Sequence, residues 1–192
     1  YDPALITVVH NGIDLGRFRR RDRERTRAAL GVPAGTMLVV YAGRLHPAKG
    51  VETLLDGFAR VAAGRTAHLL MAGQAAVLHD DAGASRDYQR ELRERADQLG
   101  IGGAMTWIPH WPDMPALFSA ADVSVLPSVW SEPFGRVVIE AMACETPAIA
   151  SRTGGIREIL TGEFAPWLFE PGNAASLAAA LSAAVDQRRA DA

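Results

Sequence analysis

The stretch that decides the fold runs from residue 37 to residue 63 and reads MLVVYAGRLHPAKGVETLLDGFARVAA. Its first part, Met37–Ala42, is an unbroken apolar run, which is typical of a strand covered on both faces. From Val51 to Ala63 the apolar residues recur at helical spacing and share one stripe. The residues of this stripe are Leu54, Leu55, Phe58 and Val61. The stretch therefore predicts a strand, a loop and a helix in that order.

The same alternation continues along the chain. The predicted strands are Ile6–Val9, Met37–Ala42, His68–Ala72, Met105–Ile108, Val123–Leu126, Ala148–Ser151 and Trp167–Phe169. The predicted helices are Val51–Ala63, Tyr88–Leu99, Met114–Ala121, Arg136–Cys144, Ile156–Leu160 and Ala174–Val185. A repeated strand-helix order implies right-handed crossovers, so the predicted fold class is α/β, a Rossmann-like parallel sheet with helices on both faces. Ligands bind such sheets at the carboxyl ends of the strands.

The composition of the chain limits the classes of function that it can have. The 192 residues carry 22 acidic and 20 basic side chains, for a formal net charge of -2. This balance argues against nucleic-acid binding, because phosphate contacts need a basic excess. The length fits a single domain over residues 1–192. The one cysteine, Cys144, cannot form an internal disulfide, so a reducing compartment is expected.

Among the 20 basic residues only Lys49 is a lysine, and it lies in the loop between the quoted strand and helix. Gly43 at the strand end permits close backbone approach, and the next helix supplies free N–H groups. Arg44 and Lys49 can converge on one diphosphate there. The alternative is a pair of solvated loop cations. The loop lacks the Gly-Lys-Ser/Thr ending of a Walker motif.

A second strand-to-helix corner carries two carboxylates. Pro133 and Gly135 predict a tight turn, with Glu132 at its mouth and Glu140 about one turn inside the following helix. Carboxylates only accept hydrogen bonds, which suits them to vicinal hydroxyls, and the amides of residues 134–136 can hold a phosphate. The alternative is an acid favoured by the helix dipole plus one surface glutamate.

One segment has an anomalous charge pattern. Residues 17–27 are rich in arginine and predict a solvated connection that runs into a short helix ending near Leu30 and Gly31. The alternative is a basic surface that faces a partner domain or anionic lipid.

Together these motifs resemble the donor-binding half of a GT-B glycosyltransferase of the large retaining family 4, also called group 1. The resemblance spans nearly the whole chain. Its motifs are Asn11-Gly-Ile-Asp14, Gly43-Arg-Leu with Lys49-Gly50, Ala120-Ala-Asp122, Glu132-x7-Glu140 followed by Ala141-Met-Ala, and Thr153-Gly-Gly-Ile-Arg-Glu158. The chain departs from the family pattern at Gly73-Gln-Ala-Ala, where Gly-x-Gly is common, and between Gly162 and Phe169.

The resemblance implies a hexosyltransferase-like enzyme that uses a nucleotide-diphosphate sugar of UDP or GDP type. It implies catalytic roles for Arg44 and Lys49 on the diphosphate and for Glu132 on the sugar hydroxyls, while Glu140 would hold the ribose. The other donor-binding residues that it implies are Gly43, Pro109, His110, Trp111, Phe134, Gly135, Arg136 and Val137. Residues 109–111 would form the wall against which the base rests.

The resemblance also implies that no metal or other cofactor is bound. His79-Asp80-Asp81 lacks the Asp-x-Asp spacing of metal-dependent sugar transferases and is expected to be a solvated loop. A complete enzyme of this architecture has a preceding acceptor-binding domain, so we expect that domain to be absent from this chain and the chain to be inactive alone.

The expected location is the bacterial cytoplasm, with peripheral association of the full-length protein at the inner membrane face. Two alternatives stay open at this point: a non-catalytic nucleotide-binding domain, and a sugar epimerase or phosphorylase of GT-B type.

Overall fold

The structure is a computed structural model that describes residue 2, residues 5–74 and residues 82–190. Its strands are β1 (Met37–Ala42), β2 (Ala67–Ala72), β3 (Met105–Ile108), β4 (Val123–Leu126), β5 (Ala148–Ser151) and β6 (Leu168–Phe169). Its helices are α1 (Arg23–Ala29), α2 (Val51–Ala62), α3 (Ala82–Gln98), α4 (Met114–Ala120), α5 (Arg136–Ala143), α6 (Ile156–Ile159) and α7 (Ala174–Ala190). Short 3-10 turns cover Pro47–Lys49, Gly102–Ala104 and Gly162–Trp167.

The six strands form one parallel sheet in the order β3-β2-β1-β4-β5-β6, which confirms the predicted fold class. The chain winds from β1 to one edge and then returns to place β4 on the other side of β1. Tyr41 thereby pairs with both Met71 and Val125. In doubly wound sheets a ligand crevice opens where the strand order reverses. Here that point lies between the carboxyl ends of β1 and β4.

Strand β1 separates two apolar cores. Val39 and Tyr41 pack into the core that contains residues of α2, α3 and α7. Leu38 and Val40 face the opposite core, which contains residues of α4, α5 and α6. All six residues of β1 are buried, as the unbroken apolar run predicts for a central strand covered on both faces.

The arginine-rich segment is tied to the bottom of the sheet rather than being solvated throughout. It does enter a short helix, α1, as predicted. However, the Arg27 side chain is only 6% exposed and its Nη1 lies 3.3 Å from Asp122 Oδ2. Arg23 Nη2 lies 2.6 Å from Asp122 Oδ1, and the backbone N–H of Leu38 donates to Oδ2 at 2.7 Å. One carboxylate thus joins α1, the start of β1 and the turn before β4.

Three local expectations were wrong. Ile6–Val9 forms no strand and is exposed, because no other described strand lies beside it to complete a hydrogen-bonded ladder. Helix α3 begins at Ala82 rather than at Tyr88; residues 82–87 contain no large apolar side chain, so no helical spacing of apolar residues marks this first part in the sequence. Helix α7 runs to Ala190 rather than ending at Val185. The predicted last strand is confirmed over Leu168–Phe169, one residue shorter than expected. The expected loop at residues 79–81 lies outside the described residues.

Within residues 5–74 and 82–190, no helix is both long enough and apolar enough to span a bilayer.

The substitution Asp122→Ala tests how the arginine-rich segment is held. It leaves the buried Arg27 guanidinium without its counter-charge and the Leu38 amide without its acceptor. We expect a loss of about 3 kcal/mol in the free energy of unfolding, measured by urea denaturation followed by circular dichroism.

The matched control is Asp186→Ala, which removes the ion pair with Arg65 at a side chain that is 61% exposed. An exposed pair contributes less than about 1 kcal/mol, so this variant stays close to wild type. Equal losses in the two variants would contradict the proposed role of Asp122.

Candidate functional site

A cleft of about 390 Å³ opens at the carboxyl ends of β1 and β4. It is lined by Asn11, Tyr41, Ala42, Gly43, Arg44, Lys49, Leu126, Glu132, Pro133, Phe134, Gly135, Arg136 and Val137. The structure therefore brings together eight of the sequence-predicted site residues. These are Gly43, Arg44, Lys49, Glu132, Phe134, Gly135, Arg136 and Val137. Their convergence follows from the strand order, since the loops after β1 and β4 are neighbours at this edge.

The loop after β1 is held by hydrogen bonds from its own side chains. The phenol of Tyr41 donates to the Arg44 carbonyl oxygen at 2.6 Å. Burial, reinforced by the nearby charge of Glu132, raises the pKa of Tyr41, so the phenol keeps its proton for this bond. His46 Nδ1 accepts from the Ala48 amide at 3.1 Å and caps the 3-10 turn that carries Lys49. The backbone that presents both cations is therefore fixed.

Close backbone contact joins this loop to the one after β4. Gly50 has a φ of 63°, in the left-handed region, and a side chain there would overlap the Pro127 carbonyl oxygen. The Val129 amide donates to the Ala48 carbonyl oxygen at 3.0 Å. Glycine at position 50 is thus required both by the backbone conformation and by the approach of the second loop.

An ion pair spans the cleft between the two loops. Lys49 Nζ lies 2.5 Å from Glu132 Oε2, and the two side chains are 18% and 14% exposed. Ser128 Oγ donates to the same Glu132 oxygen at 3.0 Å. Arg44 is exposed, and its guanidinium makes no ion pair within the part of the chain that the structure describes. Of the three cationic side chains that line the cleft, Lys49 pairs with Glu132 and Arg136 pairs with Glu140, whereas Arg44 is available to a ligand.

The two glycines at positions 154 and 155 support the corner that carries Glu132. The Gly155 amide donates to the Glu132 carbonyl oxygen at 3.0 Å. A side chain at Gly154 would overlap that same carbonyl oxygen, and its φ of 46° also favours glycine. The Thr153-Gly-Gly motif therefore acts on the site through the backbone of Glu132.

Helix α5 points its N-terminus into the cleft. Gly135, at a φ of 87°, precedes the helix, which has neither a side-chain cap nor an acidic residue in its first turn. Glu140 lies about one turn inside and is not among the residues that line the cleft. Its carboxylate Oε1 lies 3.1 Å from Arg136 Nη2, and its side chain is 13% exposed. The structure thus connects Glu140 to the cleft through the Arg136 guanidinium.

The residues predicted as the base wall do not line this cleft. Pro109 and His110 are exposed in the loop after β3. Trp111 lies in a separate groove of about 480 Å³ between α1 and α4, with Arg25 and Ala116 among its neighbours. Its indole Nε1 is buried and has no hydrogen-bond partner among the described residues. The role of residues 109–111 in binding a base stays a prediction.

Sequence reasoning gave no site role to five of the residues that line the cleft, which are Asn11, Tyr41, Ala42, Leu126 and Pro133. It also missed Ser128, which donates to Glu132. Tyr41 and Ser128 follow the rule that residues at the carboxyl end of a central parallel strand reach the ligand crevice. Within the described residues, no three His, Cys, Asp or Glu side chains are close enough to share a metal ion.

The sequence and fold were compared with known proteins. Residues 22–192 match the family described as "Glycosyl transferases group 1". D-inositol 3-phosphate glycosyltransferases of Mycobacterium tuberculosis and Mycobacterium bovis are 38% identical to this chain over 167 residues. The alignment covers 84% of this chain and 33% of each relative, so the chain spans about a third of their length.

Among solved structures, Anabaena HepE in complex with UDP-glucose has a TM-score of 0.85 and 29% identity. The match covers 97% of this chain and 49% of that chain. The C-terminal domain of a group 1 glycosyl transferase from Francisella tularensis has a TM-score of 0.79 over 93% of this chain and 91% of that chain. Its identity is 23%, so that likeness concerns the fold alone. Since the family match covers most of the sequence and the sheet has the same architecture, this chain belongs to the group 1 glycosyl transferases of GT-B type.

Proposed function

We propose that this chain is the C-terminal, donor-binding domain of a retaining family 4 glycosyltransferase, and that a nucleotide-diphosphate sugar occupies the cleft between β1 and β4. The observation that carries the proposal is the grouping of Arg44, Lys49 and the uncapped start of α5 around one cleft, with Glu132 on its wall. Two cations and a helix N-terminus suit a diphosphate, whereas a carboxylate acceptor suits sugar hydroxyls.

The diphosphate would lie between Arg44 and the start of α5. Arg44 offers a planar fork for two phosphate oxygens, and Lys49 offers a compact charge. Negative charge grows on the diphosphate as its bond to the sugar breaks. Fixed cations and backbone amides therefore stabilise the transition state more than the bound donor, which is how such groups accelerate a reaction.

The sugar and the ribose would each meet one glutamate. Glu132 lies beside the proposed diphosphate position and accepts hydrogen bonds from the hydroxyls of the sugar. Glu140 accepts hydrogen bonds from the ribose hydroxyls. Its carboxylate does so either while it still pairs with Arg136 or after that ion pair has opened. Residues 109–111 would contact the base through the backbone. UDP-glucose is the first donor to test because the 29% identical HepE structure contains it, and a GDP sugar is the alternative.

The proposal assigns acceptor binding to a part of the protein outside these 192 residues. It is supported by the fact that the chain spans about half of the solved HepE chain. The acceptor would be a glycan, a lipid or a small molecule, and D-inositol 3-phosphate is the first to test because the 38% identical relatives are named for it. Following the resemblance, the proposal also includes a hexosyl donor, no cofactor, and the bacterial cytoplasm with peripheral contact at the inner membrane.

Calorimetric titration of the 192-residue chain with UDP, GDP and ADP tests the diphosphate site. We expect one of these nucleotides to bind, and Lys49→Ala to weaken it by roughly tenfold or more, because a hydrogen bond to a charged group is lost. Arg90→Ala, on the exposed face of α3, is the matched control and should leave the affinity unchanged. If no nucleotide binds wild type better than Lys49→Ala, the donor-site proposal is wrong.

A second titration tests Glu140 with a pair of ligands that differ in one hydroxyl. We expect wild type to bind UDP more tightly than 2′-deoxy-UDP, by roughly tenfold, because the 2′-hydroxyl donates to the Glu140 carboxylate. In Glu140→Ala that preference should disappear. Glu170→Ala, whose exposed carboxylate pairs with Arg152, is the control and should keep the preference. A preference that survives in Glu140→Ala would place the ribose elsewhere.

A transfer assay tests the assignment of acceptor binding to another part of the protein. We expect the purified 192-residue chain to bind the donor but to form no glycosylated product from UDP-glucose and D-inositol 3-phosphate, because no acceptor is held against the sugar. Product formation is measured by mass spectrometry, and titration of the same sample verifies that the donor binds. Robust transfer by this chain alone would refute the assignment.

A further inference from the structure

A line of hydrogen bonds connects the sheet to the Glu132 carboxylate. Ser151 Oγ, at the end of β5, donates to the Ser128 carbonyl oxygen at 2.5 Å. Ser128 Oγ donates in turn to Glu132 Oε2 at 3.0 Å. Both serines have 0% exposure. The hydroxyl of Ser128 is therefore held by a buried backbone and reaches the Glu132 carboxylate, which pairs with Lys49 across the cleft.

The donors to this carboxylate converge on a single oxygen. Glu132 Oε2 receives both the Ser128 hydroxyl and the Lys49 ammonium, whereas Oε1 accepts no hydrogen bond from residues 5–74 or 82–190. A carboxylate has lone pairs on both oxygens. Fixing Oε2 in this way leaves Oε1 as the acceptor for a ligand in the cleft that Glu132 lines.

The two donors to Glu132 Oε2, the Lys49 ammonium and the Ser128 hydroxyl, differ in whether a bound donor competes for them. Under the proposed function the ammonium of Lys49 also binds the diphosphate, so the donor competes with Glu132 for it. The hydroxyl of Ser128 is buried in the loop after β4, and Ser128 is not among the residues that line the cleft. When Lys49 turns to the diphosphate, Ser128 becomes the remaining anchor of the Glu132 carboxylate among the described residues.

We propose that Ser128 is a positioning residue that fixes Glu132 for the sugar of the donor without itself touching the donor. This inference rests on the proposed function and deepens it. Under this proposal, recognition of the sugar depends on Ser128, whereas recognition of the nucleotide depends on Lys49 and Arg44.

The ratio of UDP-glucose affinity to UDP affinity tests the proposal, because a merely structural defect weakens both ligands alike. Both affinities are measured by calorimetry on the 192-residue chain. We expect Ser128→Ala to lower this ratio by roughly tenfold relative to wild type, with UDP binding unchanged within about twofold, because one hydrogen bond to a charged group is lost. The matched control is Ser124→Ala, another buried serine, which lies within β4 and is not among the described residues that line the cleft. It should keep the wild-type ratio.

Two further results would overturn the proposal: an unchanged ratio in Ser128→Ala, or an equal loss of affinity for both ligands. If Ser128→Ala does not fold by circular dichroism, Ser128→Cys replaces it. A thiol is a weak donor of similar size, so the ratio should fall there too. If wild type binds neither ligand, the proposed function fails and this inference fails with it. An unchanged ratio in a protein that binds both ligands overturns the role of Ser128 alone.

Discussion

The pairing of β1 with β4 is the constraint on which the site depends. Tyr41 lies opposite Val125, so the loops that leave these two strands begin side by side although they are far apart in the sequence. The Val129 amide then bonds the Ala48 carbonyl oxygen, and Gly50 lets the two backbones approach. Only with both loops at this spacing can the ammonium of Lys49 reach the carboxylate of Glu132. A parallel sheet supplies this geometry wherever its strand order reverses.

Two pairs of basic residues serve different purposes. Arg23 and Arg27 are used internally, since their guanidinium groups meet the Asp122 carboxylate and fix α1 against the base of the sheet. Arg44 and Lys49 lie at the opposite end, where the cleft opens. A formal net charge of -2 is compatible with an anionic ligand for this reason. A local pair of cations and a helix N-terminus set the potential of the cleft, and the total charge of the chain does not.

The Lys49–Glu132 pair also bears on how the cleft would accept a charged ligand. Each partner satisfies the other while the cleft holds no ligand, which keeps two partly buried charges from being left alone in a medium less polar than water. A diphosphate sugar offers both partners at once, an anion for Lys49 and hydroxyls for Glu132. Exchange of one set of partners for the other then costs less than the creation of two unpaired charges.

The sequence by itself determined the fold class, the bounds of β1, β3, β4 and β5, and the position of Arg44, Lys49 and Glu132 in the loops that follow β1 and β4. These properties follow from local sequence patterns, because unbroken apolar runs mark the strands, helical spacing marks the helices, and the segments between them are the loops. Only the tertiary structure decided that Ile6–Val9 has no strand partner among the described residues, that Arg27 is buried, that Glu140 pairs with Arg136 and that Trp111 lies away from the cleft. It also revealed Ser128 behind Glu132. A contact between side chains depends on which elements lie side by side in the fold. When the two residues are distant in the sequence, no local pattern indicates that contact.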